Sequence, residues 1–221
     1  MTIRFRESLG IDMKLVRVLA LVLCALLLFA GCNASFLRDE DGYGYTDKKS
    51  GRHYAVMSEA YEAARAGEQV GEYKDNKHGV TRVFSEIPGL DTARFLTDNY
   101  GVVYCADETL PSAENFTFTV VRVCEEDAIS VERGSLTDAA MIAALCENWF
   151  ADDEAELPME KASYSRRLKL QSKEYPGIYY CFRFFVYEDG SAYFYLPETR
   201  RTVLVRTDVV AALLEAEGVV L

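Results

Sequence analysis

The chain has 221 residues, half of them apolar, and 35 acidic residues against 24 basic ones give it a net charge of −11. Residues 1–31 hold four of the basic and two of the acidic side chains, so the remainder carries 20 against 33, a net charge of −13. Acidic surfaces repel phosphate backbones, which argues against nucleic acid as a partner, and the apolar content excludes a disordered stalk. The roughly 190 residues after position 31 suffice for one sizeable core or two small ones.

Residues 13–32, which read MKLVRVLALVLCALLLFAGC, have the features of an export signal. Lys14 and Arg17 form a positive segment ahead of an apolar run, and two small residues stand directly before Cys32. The 14-residue run from Val18 to Gly31 spans about 21 Å as a helix, which is too short for the ~30 Å core of a bilayer. Acidic residues precede Met13, which favours Met13 as the start of translation.

Leu28-Phe29-Ala30-Gly31-Cys32 resembles the lipobox of bacterial lipoproteins, with Phe29 where Leu is usual. The resemblance implies diacylglycerol on the sulfur of Cys32, cleavage before Cys32, and a chain anchored on the extracytoplasmic face of the cell membrane. The acidic remainder is expected to stay soluble and to be held off anionic headgroups. We therefore expect a signal peptide in residues 1–31, a tether in residues 32–42, and a globular domain in residues 43–221 with a candidate subdomain boundary near Gly134.

Four cysteines fall in the expected globular domain, each inside an apolar stretch: Cys105, Cys124, Cys146 and Cys181. An extracytoplasmic address permits disulfides, and four cysteines allow three pairings, but buried thiols are also ordinary core residues. Both readings stay open. The absence of a C-x-x-C motif gives little support to a zinc or redox site, and we predict no metal and no cofactor.

Local patterns predict hairpins in the first half of the domain. Two hairpins are expected, in residues 44–57 and 69–87, around polar turns that contain glycine. Ser58 to Ala66 is ambiguous, because its alanines and glutamates favour a helix of only about two turns. A short helix is expected from Asp91, as its cap, through Thr97.

The second half combines strands with the two clearest helices. Strands are predicted at 116–124, 128–132, 164–173, 177–187, 191–196 and 202–206. One helix is expected to follow Ser135 as its cap, with Asp138 completing a capping box, and the other to run from Thr207 to Gly218. These elements predict an α+β fold, with mainly antiparallel hairpins packed with two or three short helices.

The aromatic strand at 177–187 has two different faces. One is wholly apolar and is predicted to be core: Ile178, Tyr180, Phe182, Phe184 and Val186. The other face is mixed and includes Tyr179, Arg183, Phe185 and Tyr187. It either lies under a helix, which we favour, or presents these four residues to a ligand such as a sugar, because aromatic rings stack on C–H groups and a guanidinium binds polar ones.

No catalytic motif assembles, and we assign no catalytic residue. His53 and His78 fall in or beside turns without a nucleophile nearby, so exposed loop histidines are the favoured interpretation. We expect a lipoprotein that binds an unidentified partner protein or an envelope glycan, or that serves in envelope assembly. The alternative is an envelope hydrolase that uses carboxylates such as Glu125, Glu126 or Glu188; a paired, buried carboxylate would favour it.

Overall fold

Antiparallel strands dominate the computed structural model of the chain, which describes residues 34–106, 111–127, 129–151 and 154–219. The first eight strands are β1 (Phe36–Arg38), β2 (Gly44–Asp47), β3 (His53–Val56), β4 (Tyr61–Ala63), β5 (Gln69–Asp75), β6 (Val80–Ser85), β7 (Phe95–Asp98) and β8 (Val103–Cys105). All of them except β4 form sheet A, in the order β1-β2-β3-β8-β7-β6-β5. The lipobox and Cys32 lie outside the described residues.

Sheet A curls until its two edge strands nearly meet. The backbone N–H of Ser35, just before β1, donates to the carbonyl of Glu72 on β5 at 2.9 Å. Aromatic rings fill the inside of the curl, with Phe36 and Phe84 centred 4.4 Å apart and Tyr45 at 4.9 Å from Phe84. These rings come from β1, β2 and β6, which lie towards opposite edges of the sheet. Their contacts inside the curl therefore stabilise its curvature.

Sheet B contains the rest of the strands and carries both described helices on one face. Its order is β10-β9-β11-β12-β13-β14, and β4 pairs with the first half of β12. The elements are β9 (Phe118–Glu126), β10 (Ser130–Leu136), α1 (Ala139–Phe150), β11 (Tyr164–Ser172), β12 (Ile178–Val186), β13 (Ala192–Leu196), β14 (Arg201–Leu204) and α2 (Thr207–Glu217). The predicted core face of β12 is confirmed, since its five residues are all buried.

The expected α+β class is wrong, because the described chain is mainly β with two short helices. Residues 61–63 of the ambiguous segment form β4, and the helix expected from Asp91 is a turn that leads into β7. All four residues of β7 are buried, so this strand lacks the alternating pattern that identifies a half-exposed strand. β4 pairs with the distant β12, and β7 pairs with its neighbours β6 and β8, so strand pairing overrides the local helical signals.

Of the two helix boundaries predicted from the sequence, the end of α2 is confirmed and the start of α1 is displaced. Ser135 does not cap α1, because it lies in β10, and Asp138 is the cap whose carboxylate accepts from the N–H of Met141 at 2.9 Å. The helix starts about one turn later than predicted, because β10 extends through Leu136. Gly218 ends α2 as predicted, with a left-handed φ of 73° that glycine adopts without strain.

Two expected segment limits fall inside folded structure. The segment expected as a tether, residues 32–42, contains β1, and the side chain of Phe36 is buried in sheet A. Gly134, the candidate boundary, lies within β10 and opposes Val123 of β9. A Cβ at position 134 would stand 2.0 Å from the carbonyl oxygen of Ala216, so glycine permits the close approach of α2 to β10.

Candidate functional site

A polar cleft of about 430 Å³ opens where sheet A faces β4 and β11 of sheet B. Its walls combine aromatic rings with charged groups, and only two aliphatic side chains, Val56 and Val102, line it. The lining tyrosines are Tyr45, Tyr61, Tyr100 and Tyr104; the arginines are Arg38, Arg82 and Arg167; and the glutamates are Glu59 and Glu62. Sites of this volume hold small molecules or one segment of a polymer.

A buried carboxylate holds one wall of the cleft rigid. The Asp98 side chain is fully inaccessible, and it accepts hydrogen bonds from the Tyr104 hydroxyl at 2.9 Å and from the backbone N–H groups of Tyr100 at 2.8 Å and Val102 at 3.0 Å. The guanidinium of Arg82 is the fourth donor to this carboxylate. Four donors compensate for the loss of water around this charge, so Asp98 fixes Arg82 and the turn between β7 and β8 in place.

Arg82 presents a fixed positive charge between two tyrosine rings. Its guanidinium lies 5.8 Å from the ring centre of Tyr45 and 5.3 Å from that of Tyr100, which is within the range of cation–π contacts. Burial, followed by the charge of Asp98, raises the pKa of the Tyr104 hydroxyl above that of a free tyrosine. The hydroxyl therefore stays protonated at physiological pH and remains a hydrogen-bond donor.

The opposite wall is cross-linked by ion pairs from three strands of sheet B. Glu62 on β4 accepts from the Nζ of Lys169 at 2.5 Å and pairs with Arg167 at 3.1 Å. Arg167 also contacts Glu126 on β9 at 2.8 Å. Since Lys169 is largely buried, these pairs serve mainly to avoid an uncompensated charge, and they link β4 to β11 across β12.

Two charged side chains in the cleft form no ion pair among the described residues. Arg38, at the end of β1, is exposed, and its closest polar contact is the carbonyl of Gly42 at 3.4 Å. Glu59, before β4, is exposed at the other side of the mouth. Because neither charge is already neutralised, both are available to a ligand that enters the cleft.

A smaller cavity of about 270 Å³ continues from the cleft across β12 and shares Glu59 and Arg167 with it. Arg183 and Glu198 line this extension, and Glu198 accepts a hydrogen bond of 2.5 Å from the hydroxyl of Ser58. A depression of about 540 Å³ where α1 ends near β14 is less suited to a ligand, because its central side chain, Asn148, is already bonded to backbone atoms of Leu204 and Arg206.

The four residues proposed from the sequence as a ligand site do not converge on one pocket. Arg183 is exposed and lines the smaller cavity, whereas Tyr179 lies under Arg122 and Lys169, Phe185 packs near Tyr195, and Tyr187 is buried against Tyr193. Both described helices pack on the opposite face of sheet B, so neither covers them. The cleft residues gave no sequence signal, because they come from segments that are far apart in the chain.

The groups suggested for acid–base chemistry lie outside the cleft, and most of them are already paired. His53 contacts Asp39 at 2.6 Å and His78 contacts Asp75 at 2.7 Å, both on the surface of hairpins. Glu125 is half-buried, and its hydrogen bond from Arg133 lowers its pKa. Glu126 pairs with Arg167, and Glu188 is an exposed turn residue, so these three glutamates do not form a buried pair of carboxylates.

The thiols and possible metal ligands are also dispersed. Cys124, Cys146 and Cys181 are not in disulfides, and Cys105 is buried in sheet A. Burial raises the pKa of Cys181 to about 12, which makes it a poor nucleophile. Among the described residues, no three His, Cys, Asp or Glu side chains are grouped so as to hold a metal ion.

Comparisons of the chain with models of protein families, with characterised proteins and with solved structures gave no match. Within the described part of the chain, no helix has both the length and the apolar character needed to span a membrane.

Proposed function

We propose that this protein is a lipid-anchored, extracytoplasmic binding protein that holds a segment of an envelope glycan in the cleft between its two sheets. The anchor is the diacylglycerol that the lipobox resemblance implies on Cys32. The observation that carries the binding role is the rigid wall around Arg82, where Asp98 fixes a guanidinium between two tyrosine rings.

The chemistry of the cleft supports a carbohydrate ligand. Tyrosine rings offer apolar faces for sugar C–H groups, while their hydroxyls and the nearby charged groups meet sugar hydroxyls. A binding site benefits from walls that are ordered before the ligand arrives, since less conformational entropy is then lost on binding. The ion pairs of Glu62 and the saturated carboxylate of Asp98 provide that order.

A hydrolase receives less support from the same residues. Acid–base hydrolysis of a glycan uses two carboxyl groups with different pKa values on either side of the scissile bond. In the cleft, Glu62 is neutralised by two cations, and Glu59 is exposed. We therefore prefer binding without turnover.

Binding of a glycan in the cleft is tested by titrating the protein with an N-acetylhexosamine tetrasaccharide and measuring the heat of binding or NMR shifts. Tyr100→Ala should weaken binding roughly 2- to 10-fold, because one stacked ring contributes about 0.5–1.5 kcal/mol. Tyr43→Ala is the matched control, since Tyr43 is similarly exposed, at 73% against 67% for Tyr100, and does not line the cleft. Equal affinities for both variants would reject the cleft as the site.

The anchor is tested separately by metabolic labelling with a fatty acid. Replacing Cys32 with Ser should abolish the label and release the protein from the membrane fraction, because the sulfur is the atom that carries the lipid. Labelling that persists in this variant would reject lipidation at Cys32.

A further inference from the structure

The anchor position implies how the folded domain meets the membrane. Ser35 is bonded to the edge of sheet A, and the described chain begins one residue earlier, at Ala34. Two residues reach at most about 7 Å, so a lipid on Cys32 holds Ala34 within roughly that distance of the headgroups. The tether is thus too short to let the domain stand away from the bilayer.

The tip of the β2–β3 hairpin lies beside this entry point. β1, β2 and β3 are successively antiparallel, so the turn between β2 and β3 is at the same end of sheet A as the start of β1. Lys48 contacts the entering segment twice: its backbone N–H donates to Ser35 O at 2.9 Å and its Nζ donates to Ala34 O at 2.6 Å. The tip is therefore held next to the residues that approach the membrane.

This tip is basic although the chain as a whole is acidic. Residues 47–52 contain Lys48, Lys49 and Arg52 against the single acid Asp47, while the chain carries −11 overall. The carboxylate of Asp47 accepts hydrogen bonds from Ser50 and from the N–H of Lys49, and Glu72, whose backbone contacts Ser35, pairs with Lys74 at 2.6 Å. Lys49 and Arg52 are exposed and form no ion pair among the described residues.

We propose that the hairpin tip, residues 47–52, docks on anionic lipid headgroups and orients the domain on the membrane. This inference rests on the lipid anchor of the proposed function. Basic residues next to a membrane are attracted by anionic lipids, while the acidic remainder of the domain is repelled, so the two forces favour the same orientation.

That orientation directs the cleft away from the bilayer. Arg38 is at the end of β1, Val56 at the end of β3, and residues 100–102 lie in the turn after β7, all at the end of sheet A opposite to the tip. With the tip on the membrane, the mouth of the cleft faces the envelope, where a glycan is present.

The test uses the full-length lipidated protein in vesicles of phosphatidylcholine, with and without phosphatidylglycerol, followed by hydrogen exchange with mass spectrometry. We expect slower exchange at residues 47–52 only in the anionic vesicles. Residues 75–79, the turn between β5 and β6, serve as an internal control, because alternating strand directions place them at the opposite end of sheet A. Their exchange should not change.

Lys49→Glu should reduce the protection of residues 47–52 about fivefold or more, since the attraction of one basic residue to an anionic surface favours the bound orientation by roughly that factor. Lys77→Glu, an equivalent change in the control turn, should leave the protection of residues 47–52 unaltered. Protein that floats with the vesicles but exchanges equally in both lipid mixtures would overturn the orientation alone. Wild-type protein that fails to float would overturn the anchor and the orientation with it, whereas failure to float is the expected result for the Cys32→Ser control.

Discussion

The indole of Trp149 on α1 stacks flat on the ring of Phe182 on β12, with ring centres 4.4 Å apart and an angle of 11° between the planes. Both side chains are buried, and the indole N–H donates to the hydroxyl of Tyr180 at 3.1 Å. This contact joins the helical layer to the middle of sheet B.

Phe182→Ala is expected to lower the free energy of unfolding by about 3–5 kcal/mol, because it leaves a cavity under Trp149. Urea denaturation followed by fluorescence measures this change, and Trp149 is the only tryptophan in the chain. Met159→Ala is the control, because Met159 is fully exposed and its loss should change stability by no more than about 0.5 kcal/mol. Similar losses in the two variants would contradict the stacked core.

Asp98→Ala should destabilise the protein by about 3–5 kcal/mol, because it removes a buried charge that compensates Arg82 and satisfies two backbone N–H groups. Glu125→Ala removes an exposed ion pair with Arg133 and should cost much less, because solvent screens that pair. Thermal or urea unfolding of both variants provides the comparison. If Asp98→Ala cost no more than Glu125→Ala, the rigid wall of the cleft would lose its basis.

Alkaline pH should destabilise the fold partly through Tyr61. Burial raises the pKa of Tyr61 to about 12 from 10.0, so the folded protein holds a proton that the unfolded chain releases between these values. Its contribution to stability is complete below pH 10 and is lost as the pH rises through 12. The free energy of unfolding should therefore fall more steeply above pH 10 in the wild type than in Tyr61→Phe. Parallel pH profiles would contradict this role.

Cys124, Cys146 and Cys181 should react slowly with iodoacetamide in the folded protein at about pH 8, because thiolate is the reactive form. Burial raises the pKa of Cys146 to about 11 and that of Cys181 to about 12. We expect labelling of Cys181 to accelerate at least ~100-fold in urea, as measured by peptide mapping. A disulfide-linked peptide that contains any of the three would contradict the thiol assignment.

Features encoded by short segments could be predicted from the sequence. The β2–β3 and β5–β6 hairpins follow from alternating strands around polar turns, in which Gly51 and Gly79 adopt positive φ values. The core face of β12 follows from its period of two, and the end of α2 follows from Gly218. Neighbours in sequence decide each of these features, so a local pattern suffices.

The fold class and the cleft depend on residues that are far apart in the chain. β4 is a strand because the distant β12 pairs with it, and β7 is a strand because its neighbours β6 and β8 pair with it, although their own sequences favoured or allowed helix. Glu62 meets Lys169 across 107 positions, and Arg82 meets Asp98 from a different strand. No local period encodes such pairs, and for that reason the cleft was missed.

The sequence alone determined the acidic balance, the local hairpins and the alternation of β12, because each depends on residue type and short-range spacing. Only the tertiary structure decided that the chain is mainly β, that Asp98 fixes Arg82 beside the cleft, and that a basic hairpin tip lies next to Ala34. These results required the curvature of sheet A and its packing on sheet B, which bring separate segments within hydrogen-bond distance.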